Sequence, residues 1–309
     1  MVLTSTPLDA KAAAAAYNQS HTWLAIADTG SRLTLWQREG AGRGWALAGS
    51  LSLEGLRVTT LCWAATQFGG LLAGGAADGS VAVWQEQPGD VGWRLAALLK
   101  EGGLGVQDLA FAPPELGPLL AAAYADGTVR FFEASEVLAA ASWELQNHFR
   151  LAGAAGAATA LSWRPSAPGL PPLLLVGTAA AGAQVWWYQQ QLMRWQLAAS
   201  LGGPQDTGGR PVADVAWAPT LGRPYDIAAV AAGPTVLLWR LGGAADSLEV
   251  EQLARLQHAA PVWEVEWNLL GSWLAASTEA GDVCMWRPDL GGEWLLLNRI
   301  VGEQPTAGA

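Results

Sequence analysis

An all-β propeller of six four-stranded blades is the fold class that the sequence predicts, on three observations. A short apolar strand closing on an aromatic residue recurs at Trp63, Phe111, Trp163, Trp217 and Trp267, at spacings of 48, 52, 54 and 50 residues. Behind each of these strands comes the same succession: a turn rich in Pro and Gly, a strand of small apolar residues, a tight turn, and a third strand again ending in an aromatic. Tryptophan is abundant, at 18 of 309 residues, and since a buried Trp covers roughly 150–250 Å², the aromatics are the main packing elements. A fixed period of strands marks a repeat architecture, and four antiparallel strands per period describe a propeller blade. A pair of β-sandwiches would not hold one period along the whole chain.

The first blade is the least regular. Its innermost strand is expected at Ala12–Tyr17, with Tyr17 in the aromatic position, its second at Trp23–Asp28 and its third at Arg32–Trp36, with Trp45 opening the fourth. The later innermost strands are Val58–Trp63, Val106–Phe111, Ala158–Trp163, Val212–Trp217 and Val262–Trp267. Turns follow at Phe68–Gly70, Pro113–Gly117, Pro165–Pro172, Pro219–Gly222 and Leu270–Gly271. Second strands run through Leu71–Gly75, Leu119–Ala123, Leu173–Gly177, Ile227–Ala231 and Trp273–Ser277. Asp78-Gly79 and Asp126-Gly127 are hairpin signals, because Gly accepts positive φ without steric cost. Third strands end at Trp84, Phe132, Trp187, Trp239 and Trp286, and fourth strands begin near Trp93, Trp143, Trp195 and Trp294. The blades are expected to fill residues 11–300 as one propeller, with 301–309 as a short flexible C-terminal tail.

Composition narrows the function. Hydrophobic residues make up 51% and charged residues 14%, which is a folded chain. A net charge of −10 opposes a nucleic-acid footprint, which needs a basic face. Cys62 and Cys284 lie in apolar strands of different repeats, so neither a disulfide framework nor zinc spacing is present. The start has no basic region followed by an apolar core, and Ala12–Ala16 is too short for a membrane span. A soluble cytosolic or nuclear chain is expected.

Catalytic patterns are weak. His21, His148 and His258 fall in different blades without a cluster of ligand-type residues, and no catalytic, cofactor-binding or metal-binding residue is predicted. Gly40–Gly44 is glycine-rich, but no Lys-Ser/Thr completes a phosphate loop and no helix pattern follows, so it reads as a hairpin. Glu264/Glu266 and Glu249/Glu251 each place two carboxylates on one strand face; a solvated edge is the default, and contact with a basic partner the alternative. Glu144–Arg150 reads as a polar loop.

The strand pair and the Asp-Gly turns resemble the WD-repeat family, although the third strands end in Trp36-Gln, Trp84-Gln and Trp286-Arg in place of Trp-Asp. His258 stands four residues before Val262, where WD repeats carry their Gly-His histidine. Longer stretches are more specific. Phe111–Ala121, Ala125–Arg130, Glu133–Val137 and Trp143–Gln146 are similar to the third blade of the Sec-thirteen/Seh-one WD-repeat family, Pro211–Arg223 to its fifth and Pro261–Ser277 to its sixth. Ala232-Gly-Pro-Thr235 lacks an Asp-Gly turn, as the fifth blade does on the Seh-one side of the family. The turns Thr178–Gly182 and Glu279–Asp282 have also lost the family's Asp.

The resemblance implies an open six-bladed propeller into which a partner inserts a further blade, between the first and the last. It implies a non-catalytic scaffold in the coat of the nuclear pore, the Y-complex, at the nuclear envelope. A helical-solenoid nucleoporin would donate the blade and other Y-complex nucleoporins would be neighbours, without direct nucleic-acid contact or membrane insertion. The same family serves a COPII outer coat and a vacuolar or lysosomal nutrient-signalling complex, so a cytoplasmic coat or the lysosomal membrane surface are alternative locations. An open ring leaves apolar sheet faces and edges that invite a partner. Trp23, Leu24, Ile26, Leu33 and Leu35 of blade 1 are the expected partner-facing residues, with Trp273, Leu274, Val283 and Met285 of blade 6. Alternate residues of a strand face opposite sides, so part of this set is expected in plain core. Six blades also permit a closed ring that reads peptides, as a ubiquitin-ligase substrate receptor does. Such a reader needs Arg or aromatic anchors on its loops, and here the loops are mostly Ala, Gly and Pro.

Overall fold

A computed structural model describes residues 11–302, except 41–43, 88, 90–91, 102–103, 136–141, 154, 167–168, 181 and 221. It contains 24 strands in six four-stranded sheets, each with its strands in sequence order. This is the strand organisation of a six-bladed WD-repeat propeller. Blade 1 comprises Ala12–Tyr17, Trp23–Asp28, Arg32–Arg38 and Trp45–Ser52; blade 2 comprises Val58–Trp63, Leu71–Ala76, Val81–Glu86 and Trp93–Leu99. Blade 3 holds Val106–Phe111, Leu119–Tyr124, Thr128–Ala134 and Trp143–Arg150, and blade 4 holds Ala158–Trp163, Leu173–Thr178, Ala183–Gln189 and Arg194–Leu201. Val212–Trp217, Asp226–Ala232, Thr235–Gly242 and Glu249–Gln257 form blade 5, and Val262–Trp267, Leu274–Thr278, Val283–Pro288 and Trp294–Ile300 form blade 6.

One expectation needs correction. Glu144–Arg150 belongs to the fourth strand of blade 3 rather than to a loop. That strand meets solvent along most of its length and buries only Trp143 and Phe149, so its polar run carries little strand signal. The Glu249/Glu251 pair opens the fourth strand of blade 5, which lacks the Trp that marks the others. Residues 41–43 of the glycine-rich loop, 136–137 of the Glu133–Val137 match, 167–168, 181 and 221 in their turns, and 303–309 of the tail lie outside the described residues.

The chain divides into two compact units, Met1–Ala122 with Phe132–Leu145, and Ala123–Phe131 with Gln146–Ala309. In the first unit the first strands of blades 1, 2 and 3 pack successively, as do those of blades 4, 5 and 6 in the second. Blade 5 illustrates how. Ala228 and Val230 of its second strand join a core with Leu173, Leu175 and Val185 of blade 4. The intervening Ile227, Ala229 and Ala231 join another core with Val262, Val265, Trp267 and Leu274 of blade 6. Both faces are covered, so the strand reads as a continuous apolar run without alternation.

Close approach demands small side chains. A Cβ on Gly75 would lie 2.4 Å from a methyl of Val106 on blade 3, and one on Gly177 would lie 2.8 Å from Val212 on blade 5. Gly75→Ala is expected to destabilise the fold by about 1–3 kcal/mol through overpacking. Gly49→Ala in the fourth strand of blade 1, where a Cβ meets nothing within 4 Å, is expected to be neutral. Urea unfolding of the two variants checks this contrast.

Turns are tied by side chains. Asp78 accepts the Ser80 amide at 3.0 Å and the Ser80 hydroxyl, and these bonds hold its carboxyl below the usual carboxylate range. Asp126 accepts the Thr128 amide at 2.9 Å in the equivalent turn of blade 3. At the junction of blades 5 and 6, Trp286 Nε1 donates to His258 Nε2 at 3.0 Å. Burial lowers the His258 pKa against the opposing influence of backbone groups at Pro234 and Leu256. A neutral imidazole is the acceptor this bond requires. Because the folded pKa is depressed, the unfolded chain binds the proton more readily. Stability from this site is therefore present above the unfolded value of about 6.5 and lost as pH falls below it. His258→Gln, which keeps an acceptor without a titratable ring, is expected to flatten that part of the stability–pH curve, measured by denaturant midpoints from pH 8 to pH 5.

Candidate protein-interaction faces on blades 1 and 6

The burial pattern of the second strand separates the interior blades from the last one. It is buried at every residue in blades 2 and 4 and nearly so in blades 3 and 5. In blade 6 buried and half-buried residues alternate along Leu274–Thr278, the pattern of a sheet with one covered face. Leu274 and Ala276 are buried against blade 5. Ala275 and Ser277 point to the other side, paired in register with Met285 and Val283 of the third strand and with Glu266 and Glu264 of the first.

This uncovered face repeats the one that blade 5 turns toward blade 6. Where blade 5 has Ala229 and Ala231 beside Leu238 and Val236, blade 6 has Ala275 and Ser277 beside Met285 and Val283. Leu238 and Val236 are fully buried against blade 6, whereas Met285 and Val283 are only half-buried. The fourth strand is exposed at every residue after Trp294, including Leu295, Leu296, Leu297 and Ile300. Trp263, the bulge residue of the first strand, is 55% exposed. These exposed apolar residues make blade 6 a candidate interaction surface.

Blade 1, in the other unit, also has one committed face. Ala25, Ala27, Leu33 and Leu35 form a core with Val58, Leu61, Leu72 and Trp84 of blade 2. Trp23 lies against the same core, with ring centroids 5.8 Å from Trp93 and 6.4 Å from Trp63. The opposite side carries Tyr17, Leu24, Ile26, Thr34 and Trp36, linked by strand register. Tyr17 is half-exposed, and Trp36 donates its indole N–H to Thr34 Oγ1 at 3.2 Å.

The expected partner-facing residues therefore divide by strand parity. Leu24 of blade 1, and Trp273, Val283 and Met285 of blade 6, are partly exposed on the sides turned away from the neighbouring blade of their unit, whereas Ile26, on the same side of blade 1 as Leu24, is buried at 6% exposure. Leu33, Leu35 and Leu274 have no exposed surface and pack on the neighbouring blade, as does Trp23 in part, so these four are core positions. Tyr17, Trp36, Ala275 and Ser277 are additional members of the two faces.

Electrostatics at blade 6 is acidic on its first strand. Burial, and secondarily Glu266, push the Glu264 pKa up, although the residue is solvent-exposed. Among the described residues, no group of three or more His, Cys, Asp or Glu is placed to hold a metal.

No protein-family model matches the chain. Protein SEH1 of Arabidopsis thaliana is 31% identical over 183 residues, 53% of this chain and 56% of that protein. Nucleoporin SEH1 of Homo sapiens is 28% identical over 198 residues, 58% of this chain and 53% of its own. Nucleoporin SEH1-A of Xenopus laevis is 27% identical over 195 residues, covering 58% and 52%. The chain is a relative of the SEH1 nucleoporins. It spans about half the length of these relatives.

In this SEH1 relative the choice between a core and a surface role is testable by a pair of substitutions. Leu35→Asp places an unpaired carboxylate in the core between blades 1 and 2 and is expected to cost more than about 3 kcal/mol. Met285→Asp lies on the uncovered face and is expected to cost less than about 1 kcal/mol. Equilibrium unfolding monitored by Trp fluorescence distinguishes the two.

Proposed function

We propose that this chain is a non-catalytic scaffold subunit of the nuclear pore Y-complex, a single six-bladed propeller over residues 11–300 that binds a helical-solenoid nucleoporin. The partner donates a sheet that covers the free face of blade 6 and contacts that of blade 1, leaving the propeller open in its absence. The observation that carries this reading is the repetition on blade 6 of the residues by which blade 5 holds blade 6, with no blade of its unit covering them. The names of its relatives as nucleoporins support the assembly. Other Y-complex nucleoporins are the further neighbours at the nuclear envelope. The net charge of −10 fits a subunit that leaves nucleic acid to others.

The COPII and lysosomal complexes are served by the same type of interface, so they differ from this reading in the partner and not in the face. A closed peptide reader needs Arg or aromatic anchors on its loops, and the loops of this chain are mostly Ala, Gly and Pro.

A partner that binds only the folded chain stabilises it by about 2.7 kcal/mol at a hundredfold excess over Kd. The isolated chain is therefore expected to associate or precipitate and to gain melting temperature when the helical-solenoid nucleoporin of its own complex is supplied. A monomer whose melting temperature no coat partner raises is the contrary result.

A further inference from the structure

Neighbouring blades are joined by polar bonds between their first strands as well as by packing. The Val265 amide of blade 6 donates to the Asp214 carboxylate of blade 5 at 2.8 Å, and Trp267 Nε1 donates to the Ala216 carbonyl at 3.1 Å. In the other unit, Trp63 Nε1 of blade 2 donates in the same way to the Ala16 carbonyl of blade 1, at 2.9 Å. The donors occupy the fourth and sixth positions of a six-residue strand, and the acceptors the third and fifth positions of the preceding one. Apolar residues at the first, fourth and sixth positions (Val262, Val265 and Trp267 in blade 6) face the preceding blade.

Blade 6 carries acceptors at both of these positions. Glu264 pairs with Ser277 as Asp214 pairs with Ala231, and Glu266 pairs with Ala275 as Ala216 pairs with Ala229. No described residue donates a hydrogen bond to the Glu264 carboxylate, whose pKa burial raises. An aromatic is set beside them. Asn18 accepts the Trp23 amide at 2.9 Å and holds Trp23 where it meets Trp63 and Trp93 of the following blade. Asn268 accepts the Trp273 amide at 3.1 Å in the equivalent turn of blade 6.

Resting on the reading above, we infer that Glu264 and the Glu266 carbonyl are the acceptors for a partner protein strand of the pattern apolar-x-x-apolar-x-Trp. That strand docks beside Val262–Trp267 in the register that blade 6 itself uses on blade 5. Its fourth-position amide donates to Glu264, its terminal indole donates to the Glu266 carbonyl, and its aromatic ring packs on Trp273. The ligand is thus an extended backbone with two apolar residues and an aromatic, and not a cationic peptide.

The test uses the full chain and the isolated donor-sheet segment of the helical-solenoid nucleoporin of its own complex. Affinity is measured by calorimetry for the parent, Glu264→Ala and Glu264→Gln, with melting temperatures recorded for all three. A hydrogen bond to a charged group corresponds to about 10- to 100-fold in affinity, so Glu264→Ala is expected to weaken binding by that much with its melting temperature unchanged. Glu264→Gln, whose amide oxygen still accepts, is expected to stay within about threefold. A photo-crosslinking residue in place of Trp273 is expected to label a segment of the stated pattern. Equal binding by Glu264→Ala, equal loss by Glu264→Gln (a cationic contact), or labelling of another sequence or of a second copy of this chain overturns the inference. Absence of binding by the parent chain is a different failure, that of the donated-sheet reading itself.

Discussion

Both faces of each four-stranded sheet must be covered, and the remainder of the structure depends on that constraint. A blade that is apolar on both sides cannot stand alone in water, so each is stable only between neighbours. Burial forces the second strands to be apolar at every position, and close stacking forces some of those positions to be Gly or Ala. Gly75 against Val106 and Gly177 against Val212 are two such approaches between blades. The aromatics at strand ends then fill the space between blades, as Trp163, Phe131 and Trp195 do with ring centroids 4.5–6.0 Å apart.

Much of this was legible in the sequence because the period writes itself through large residues. The strand-end aromatics at Trp63, Phe111, Trp163, Trp217 and Trp267 locate their first strands to the residue. The fourth strand of blade 5 was harder, since Glu249–Gln257 faces solvent and has no Trp to announce it. Membership of the two uncovered faces was the least legible part. Leu24 and Ile26 on one side of blade 1 are as apolar as Leu33 and Leu35 on the other, so alternation gives no polar clue to which side is covered. A bulge after the first residue of the opening strand, at Ala12/Ala14 and at Val262/Glu264, further shifts the parity that counting alone would assign.

The same rule that builds the interior underlies the function proposed for the final blade. Blade 6 ends the series carrying the small residues, the apolar pair and the acceptor carboxylate that blade 5 uses on it. A partner sheet placed there would continue a packing scheme that the chain has already applied along its length. His258 accepts from Trp286 and serves the junction of blades 5 and 6.

Oxidative footprinting of methionine tests the central claim most directly. Met285 lies on the uncovered face of blade 6, and Met193, 74% exposed on a hairpin of blade 4, is an internal reference. Addition of the helical-solenoid nucleoporin is predicted to slow oxidation of Met285 several-fold while Met193 reacts at its original rate. Unchanged oxidation of Met285 in a complex that has demonstrably formed would contradict the account, because the partner would then be held somewhere other than the open face of the last blade.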